Sequence, residues 1–500
     1  MKYRSTRSGE MVTAAEALLR GLAADGGLYV PEALPAPFLS YDAMKDFSYE
    51  ETAVYVLRRF FAEIPEKELA DFVHRAYGGT FETDDVVPVR PLGGAASAAE
   101  MFHGRTCAFK DLALSLFPYL LTWAKKEMGE ARQVLILTAT SGDTGKAALE
   151  GFRDVPGTNI CVFYPSHGVS PLQKDQMQKQ EGANVAVCGI EGNFDDAQSA
   201  VKAIFSAGLP PEDGGDAVVF SSANSINIGR LYPQVVYYVW IWLSLVREGV
   251  VGKDEPFNVT VPTGNFGNIL AAWTAKQIGA PIGRLICASN ENHVLSDVLA
   301  SGVYDRRREF HLTKSPSMDI LISSNFERFL YYMAGEAETR AAMALLAEDG
   351  VYTVPADALA RMQAEMLAGW ADEAAMEEAA GRVYEAYDYL MDPHTAVAYA
   401  VYHRLRREGK IARGSHTVIA ATAHPYKFPD AAADALHLSV SGSAYDKLRQ
   451  LADAAGIPVP PQLARLEHAP VRFPGVIARD AIAAYVKDCA RAIGKERGES

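Results

Sequence analysis

From about residue 98 onward, short apolar runs rich in β-branched residues alternate with stretches whose apolar positions recur every three or four residues. The first pattern predicts buried strands and the second predicts amphipathic helices. Strands are expected at Val134-Leu135-Ile136-Leu137, Ile160-Cys161-Val162-Phe163, Val185-Ala186-Val187, Val218-Val219-Phe220, Val259-Thr260-Val261, Leu285-Ile286-Cys287 and Thr417-Val418-Ile419-Ala420. Strands separated by helices make a mainly parallel sheet, so the pattern reads as an α/β fold whose ligands gather beyond the carboxyl ends of the strands. The first ninety residues have a different texture. An Ala/Leu-rich amphipathic segment over about 13–23 stops at Asp25-Gly26-Gly27, and the extended Leu28-Tyr29-Val30-Pro31 follows. Helical patterns over Tyr49 to Phe61 and Glu66 to Tyr77 then end at Gly78-Gly79. Residues 1–92 therefore read as a small, mostly helical N-terminal domain. The stretch over about 335–390, rich in Ala, Glu and Met, reads as helical scaffold, and Val235 to Val246 as a buried helix too short to span a bilayer.

Against this frame, one lysine stands where its charge is opposed. Asp111 is followed by apolar residues at Leu112, Leu116 and Leu120, a helical spacing that places Lys110 at a helix N-terminus. A cation there works against the helix dipole, and the apolar Ala108 and Phe109 favour partial desolvation, so both effects favour the neutral amine. A neutral amine is a nucleophile, as Schiff-base chemistry with a carbonyl substrate or pyridoxal phosphate (PLP) requires. On this stretch alone, a lysine that reaches into water from an ordinary helix start is the commoner case.

Three loops that follow strands carry further chemistry. Thr138-Ala139-Thr140-Ser141-Gly142-Asp143-Thr144-Gly145 has the glycine and hydroxyl content of an anion cradle, or of a plain helix start capped by Ser141 or Asp143. Gly145-Lys146 does not complete a P-loop, because Thr140 and Ala147 occupy positions that motif needs as Gly and Ser/Thr. Pro262-Thr263-Gly264-Asn265-Phe266-Gly267-Asn268 leads from a strand into a helix, with two glycines that allow close approach of a phosphate. Ala421-Thr422-Ala423-His424-Pro425 offers an uncharged hydrogen-bonding hydroxyl at Thr422, and His424 reads as a structural histidine. Asp392 or Thr395 caps a helix start at Asp392-Pro393-His394-Thr395, and Asn224 and Arg230 lie in a polar lead-in to an apolar helix, where an arginine fork suits phosphate.

Composition narrows the ligand. The 500 residues are 49% hydrophobic and 22% charged, which is globular. A formal charge of −14 argues against a nucleic-acid partner and for a small molecule. Five widely spaced cysteines show no metal or disulfide spacing, so no metal is expected. The charged N-terminus has no apolar signal core, and a cytoplasmic location without membrane association is expected.

The order of these segments resembles the threonine synthase family, within the tryptophan synthase β-like group of PLP enzymes. The likeness runs from Tyr3-Arg4-Ser5-Thr6-Arg7 and Asp25 to Pro31 through Ala108-Phe109-Lys110-Asp111, Thr140 to Gly145, Asn224 to Asn227 and Gly264 to Gly267, to Asp392-Pro393-His394 and Thr422-Ala423-His424-Pro425 with Lys427-Phe428. It implies PLP fold type II, with a catalytic region over 93–500 made of two α/β subdomains, the smaller roughly 133–225. It implies that Lys110 bonds the cofactor, that Gly264, Asn265, Phe266, Gly267 and Asn268 hold its phosphate, that Thr422 faces its pyridine nitrogen and that Asp143 lies by its 3′ oxygen. Ser141 and Thr144 would meet the substrate carboxylate, and Asn224 and Arg230 its phosphate. Arg105, Cys107, Tyr426 and Asp143 depart from the usual pattern. The implied reaction turns O-phospho-L-homoserine and water into L-threonine and phosphate in a monomer or homodimer. The alternatives are a PLP-dependent phospholyase or serine/threonine dehydratase on the same scaffold, and a phosphate-binding α/β protein without covalent chemistry.

Overall fold

The computed structural model describes residues 1–498 apart from Ser141, Gly168 and Asn193. Two sheets organise the chain. The larger has six strands in the order Met366–Trp370, Ile282–Ser289, Phe257–Pro262, Thr417–Ala421, Ala96–Glu100 and Val89–Pro91, parallel throughout except for the last pair. The smaller has five parallel strands in the order Val476–Ala478, Val185–Glu191, Thr158–Pro165, Gln133–Ala139 and Val218–Ser221. Every strand expected from the apolar runs falls inside one of these ladders. Such runs read as continuous rather than alternating because helices cover both faces of a parallel sheet.

The stretch over 335–390 is not helical throughout. Met366–Trp370 is an edge strand that pairs in parallel with Leu285 to Ser289, between the helices Ala356–Glu365 and Glu373–Tyr387. Met, Leu and Ala favour helix locally, but a ladder to a strand some eighty residues upstream overrides that weak preference. The smaller sheet likewise recruits a distant segment. Val476–Ala478 extends its edge, and Ile482, Val486, Ala490 and Ile493 of the helix Ile482–Gly498 share a core with Leu135, Leu137, Cys161 and Phe163.

The N-terminal residues form the helices Ala14–Arg20, Tyr41–Met44, Tyr49–Leu57 and Glu66–Tyr77. They also form a three-stranded antiparallel sheet of Met11–Thr13, Lys2–Ser5 and Tyr29–Pro31, of which only the last was legible as extended chain. Their apolar faces merge with the helix Pro233–Arg247 in one hydrophobic cluster that runs on to the larger sheet. Tyr49 packs edge-on against Trp240, and the Tyr77 hydroxyl donates to the Leu112 carbonyl at 2.6 Å, bracing the turn that follows Lys110. Among the described residues, no helix is long and apolar enough to cross a membrane.

Arg328 fastens three of these parts together. It is fully buried, and its guanidinium donates to Tyr29 O at 2.9 Å, to Ile226 O at 2.5 Å and to the Asn325 amide oxygen. The fork thus ties an N-terminal strand to the 224–227 loop and to the lead-in of the helix Phe326–Ala334. A lysine keeps the charge but has one donor group where three directions are needed. Arg328→Lys is expected to lower the unfolding free energy by about 2–3 kcal/mol, and a urea-unfolding midpoint equal to that of the parent would contradict this role.

Candidate active site

Lys110 is the N-cap residue of the short helix Asp111–Leu114, and its side chain is buried. Backbone pairing with the loop after Thr417–Ala421 fixes its place: Phe109 N–H donates to Thr422 O at 2.8 Å, and His424 N–H donates to Cys107 O at 3.0 Å. Cys107 takes a left-handed φ of 57°, a turn an L-residue adopts only under constraint. The Asp111 carboxylate accepts the N–H and hydroxyl of Thr106, at 2.8 and 2.7 Å, and locks the turn. From this position the Lys110 amine lies 3.2 Å from Ser317 Oγ and 3.7 Å from Asp143 Oδ2, above the Phe109 ring. Burial pushes it down to about 8, with Asp143 pulling up and the nearby Lys427 and Arg230 charges pushing further down. Part of the amine expected from the chain pattern is therefore neutral near pH 7, and most of it above pH 8.

Lys110 and Lys427 share the Asp143 carboxylate. Its Oδ1 pairs with Lys427 Nζ at 2.6 Å and accepts from Gln173 Nε2 at 2.9 Å, and Lys427 also donates to Thr106 O at 2.9 Å. Burial opposes its charge, but Lys427 and Lys110 outweigh burial and hold the carboxyl well below the ordinary range. The loop before it differs from the expected cradle. The Thr140 hydroxyl already takes the N–H groups of Gly142 and Gly145, at 3.0 and 2.9 Å, and the helix Asp143–Phe152 starts from Gly142 with no side-chain cap. Ser141 lies outside the described residues. Thr144 is partly buried and makes no side-chain hydrogen bond among them.

The Gly264 turn has the features of a phosphate seat. A Cβ at Gly264 would lie 2.3 Å from Ser317 O, so only glycine fits. Its carbonyls face away: Ser323 Oγ donates to Gly264 O at 2.7 Å, and Asn325 N–H and Nδ2 donate to Asn265 O at 3.1 and 3.0 Å. Among the described residues, no acceptor takes the N–H groups of Asn265, Phe266, Gly267 or Asn268 at the start of the helix Gly267–Gln277. Phe266 holds a left-handed φ of 62° while its ring packs on Phe326 and Phe329. Tyr237 and Tyr238 donate to Asn268 Oδ1, which leaves Asn268 Nδ2 buried without a partner. Arg230 is buried too. Its Nη1 donates to Ala223 O, its Nε has no partner, and no carboxylate pairs with it among the described residues. Asn224 Oδ1 is also unpartnered.

Other candidates resolve into structural roles. The His424 ring packs on Phe102 and Tyr426, its Nδ1 accepts from Tyr426 N–H at 3.1 Å, and burial pushes it down to about 4. Asp392 caps the helix Pro393–Arg407. Neither Ser317, a contact of Lys110, nor Lys427, which pairs with Asp143, was recognisable from local pattern, because no spacing links either to Lys110.

Residues 2–77 match the family model for the threonine synthase N terminus, 98–374 that for pyridoxal-phosphate dependent enzymes, and 395–486 that for the threonine synthase C-terminal region. The threonine synthase of Saccharomyces cerevisiae is 35% identical over 466 residues, 87% of this chain and 89% of its own. The chain belongs to the threonine synthase family. Among solved structures, the PLP-bound threonine synthase from Brucella melitensis superposes with a TM-score of 0.85 at 38% identity, covering 98% of this chain and all of that one. The yeast threonine synthase gives 0.86 at 32% identity, covering 100% and 99%. Human threonine synthase-like 1 is 40% identical over 85% of this chain, which spans only 58% of that relative's length. The fold is accordingly PLP fold type II, and PLP is the cofactor of this family. The free N–H groups of the Gly264 turn, the orphaned Asn268 amide and a buried amine at Lys110 fit an aldehyde that carries a phosphate.

Lys110 also sets a pH dependence of stability. Its folded value of about 8 lies below the ordinary 10.5, so the unfolded chain holds more protons between those values and stability rises with pH across that window. Below it, the buried charge costs about 3 kcal/mol. In the cofactor-free full chain, Lys110→Met is expected to be more stable than the parent at pH 7 by roughly that amount, with the gain fading as the pH approaches 10. Urea unfolding across that pH series checks it, and a gain that does not shrink with pH contradicts it.

Proposed function

We propose that this chain converts O-phospho-L-homoserine and water into L-threonine and inorganic phosphate, by loss of phosphate from Cγ and addition of water at Cβ. The observation that carries the reading is the buried Arg230 guanidinium, whose Nε has no partner and which meets no carboxylate among the described residues. A buried cation without a counter-charge is costly, and a substrate phosphate would supply the missing anion. Membership of the threonine synthase family supports the same substrate class.

When bound, PLP supplies an electron sink that makes the substrate Cα–H acidic. Each remaining task belongs to the chain. The Gly264 to Asn268 turn would hold the cofactor phosphate on its free N–H groups and on Asn268 Nδ2. Lys110 would bond the cofactor, and its freed amine would take the Cα proton and then move a proton from Cβ. Its amine suits both duties, since a value of about 8 lets it accept and return protons near neutral pH. Asp143, already held by Lys427 and Gln173, would keep the amine in line and lie by the cofactor's 3′ oxygen. Thr422, buried and uncharged, would face the pyridine nitrogen without protonating it, which limits delocalisation into the ring and so disfavours transamination. Arg230 and Asn224 would draw the leaving phosphate, and Ser141 and Thr144 would meet the substrate carboxylate.

The purified, PLP-loaded protein is expected to release phosphate and threonine in equal amounts from O-phospho-L-homoserine. Phosphate released with a keto acid instead of threonine would assign it as a phospholyase, and colourless protein unable to take up PLP would remove the covalent reading. Lys110→Ala is expected to lose roughly three orders of magnitude or more in turnover. Arg230→Gln is expected to reduce kcat/KM by about tenfold to a hundredfold, and unchanged kcat/KM in steady-state assays would remove Arg230 from the phosphate site.

A further inference from the structure

Ser317 touches three parts of the site at once. Its hydroxyl lies 3.2 Å from the Lys110 amine, its carbonyl is the atom that bars any side chain at Gly264, and its N–H donates to His394 Nε2 at 3.1 Å. Because a backbone N–H only donates, His394 Nε2 carries no proton, and Nδ1–H donates to Asp392 Oδ1 at 2.7 Å. Asp392 is itself held by the His394 N–H at 2.9 Å and by Thr395. On the other side, Asn290 Nδ2 donates to Ser315 Oγ at 3.0 Å and to Asp319 Oδ1 at 2.7 Å. The short turn that carries Ser317 is therefore pinned from two helix and strand ends.

We propose that Ser317 is a positioning residue for Lys110, holding the amine in line whenever it is free and neutral, with the buried Asp392–His394 pair setting the height of the serine. The reason is the difference between a hydroxyl and a carboxylate. The groups facing the amine are Asp143, Lys427, Arg230, the Phe109 ring and Ser317. Asp143 is an acceptor only and grips the charged ammonium, while Lys427 and Arg230 repel it. Ser317 accepts from an ammonium N–H and, with its hydroxyl proton turned inward, donates to the lone pair of a neutral amine. Among the described residues, nothing else accepts that hydroxyl proton. Ser317 can thus both accept from Lys110 and donate to the lone pair of the neutral amine, whereas Asp143 can only accept its N–H groups.

The proposal rests on Lys110 being the cofactor-bonding lysine, and its test separates the two. In the cofactor-free 500-residue chain, Ser317→Ala is expected to take up added PLP about tenfold more slowly than the parent, followed by absorbance, and to reach the same final content. In the loaded enzyme it lowers kcat by a similar factor with KM unchanged. Ser317→Thr, which keeps the hydroxyl, recovers most of both. Uptake and kcat of Ser317→Ala within about twofold of the parent would overturn the proposal, a change well below the loss of one such hydrogen bond. A lower unfolding midpoint with lower cofactor content would mark a merely structural serine and overturn it too. If Lys110→Ala itself kept PLP absorbance and turnover, the site assignment would fail instead, and Ser317 would have nothing to position.

Discussion

Two buried lysines, Lys110 and Lys427, flank the buried Asp143 carboxylate, and a third buried cation, Arg230, acts on Lys110 from nearby. Desolvated positive charge in excess is unfavourable, and a protein relieves it by losing a proton, by pairing, or by binding an anion. Each cation here takes a different route. Lys427 takes the close pair with Asp143, and Lys110, at the longer distance and beside two other cations, loses its proton readily. Arg230 cannot deprotonate under ordinary conditions, and it keeps an open donor. The same imbalance thus lowers the basicity of one residue and leaves an open donor on another.

Holding this imbalance in place requires support from distant segments. The turn before Lys110 leans on the Thr422 loop and on Tyr77 of an N-terminal helix, while Arg328 binds the N-terminal sheet to the loop that leads to Arg230. The left-handed backbones of Cys107 and Phe266 flank the two central loops. Conformations of that kind persist only where surrounding contacts over-determine them, and aromatic packing around Phe266 does so here. Stability spent on strain and unpaired charge at the site is recovered in the large shared core beneath it.

Apolar pattern and capping residues located the seven central strands, the capped helix after Asp392, the buried helix around Val235 to Val246 and the helix start at Lys110. Each is set by neighbours within a few positions, so the local pattern carries it. The family resemblance added the order of the loops along the chain. Local pattern failed where a ladder or contact crosses long sequence distances. Met366–Trp370 has helix-favouring residues yet pairs as a strand, and Val476–Ala478 joins a sheet built from residues near 190.

The chemistry divides in the same way. Residue type and position determined that Lys110 opposes a helix dipole and that the Gly264 turn offers open backbone donors. Only the folded chain decided that Lys427 neutralises Asp143, that Ser317 reaches the amine, that Thr140 consumes two donors of the expected cradle and that Arg230 Nε has no partner among the described residues. Secondary structure follows from interactions a few residues apart, whereas charge balance and desolvation sum over every group within several ångströms, whatever its place in the chain.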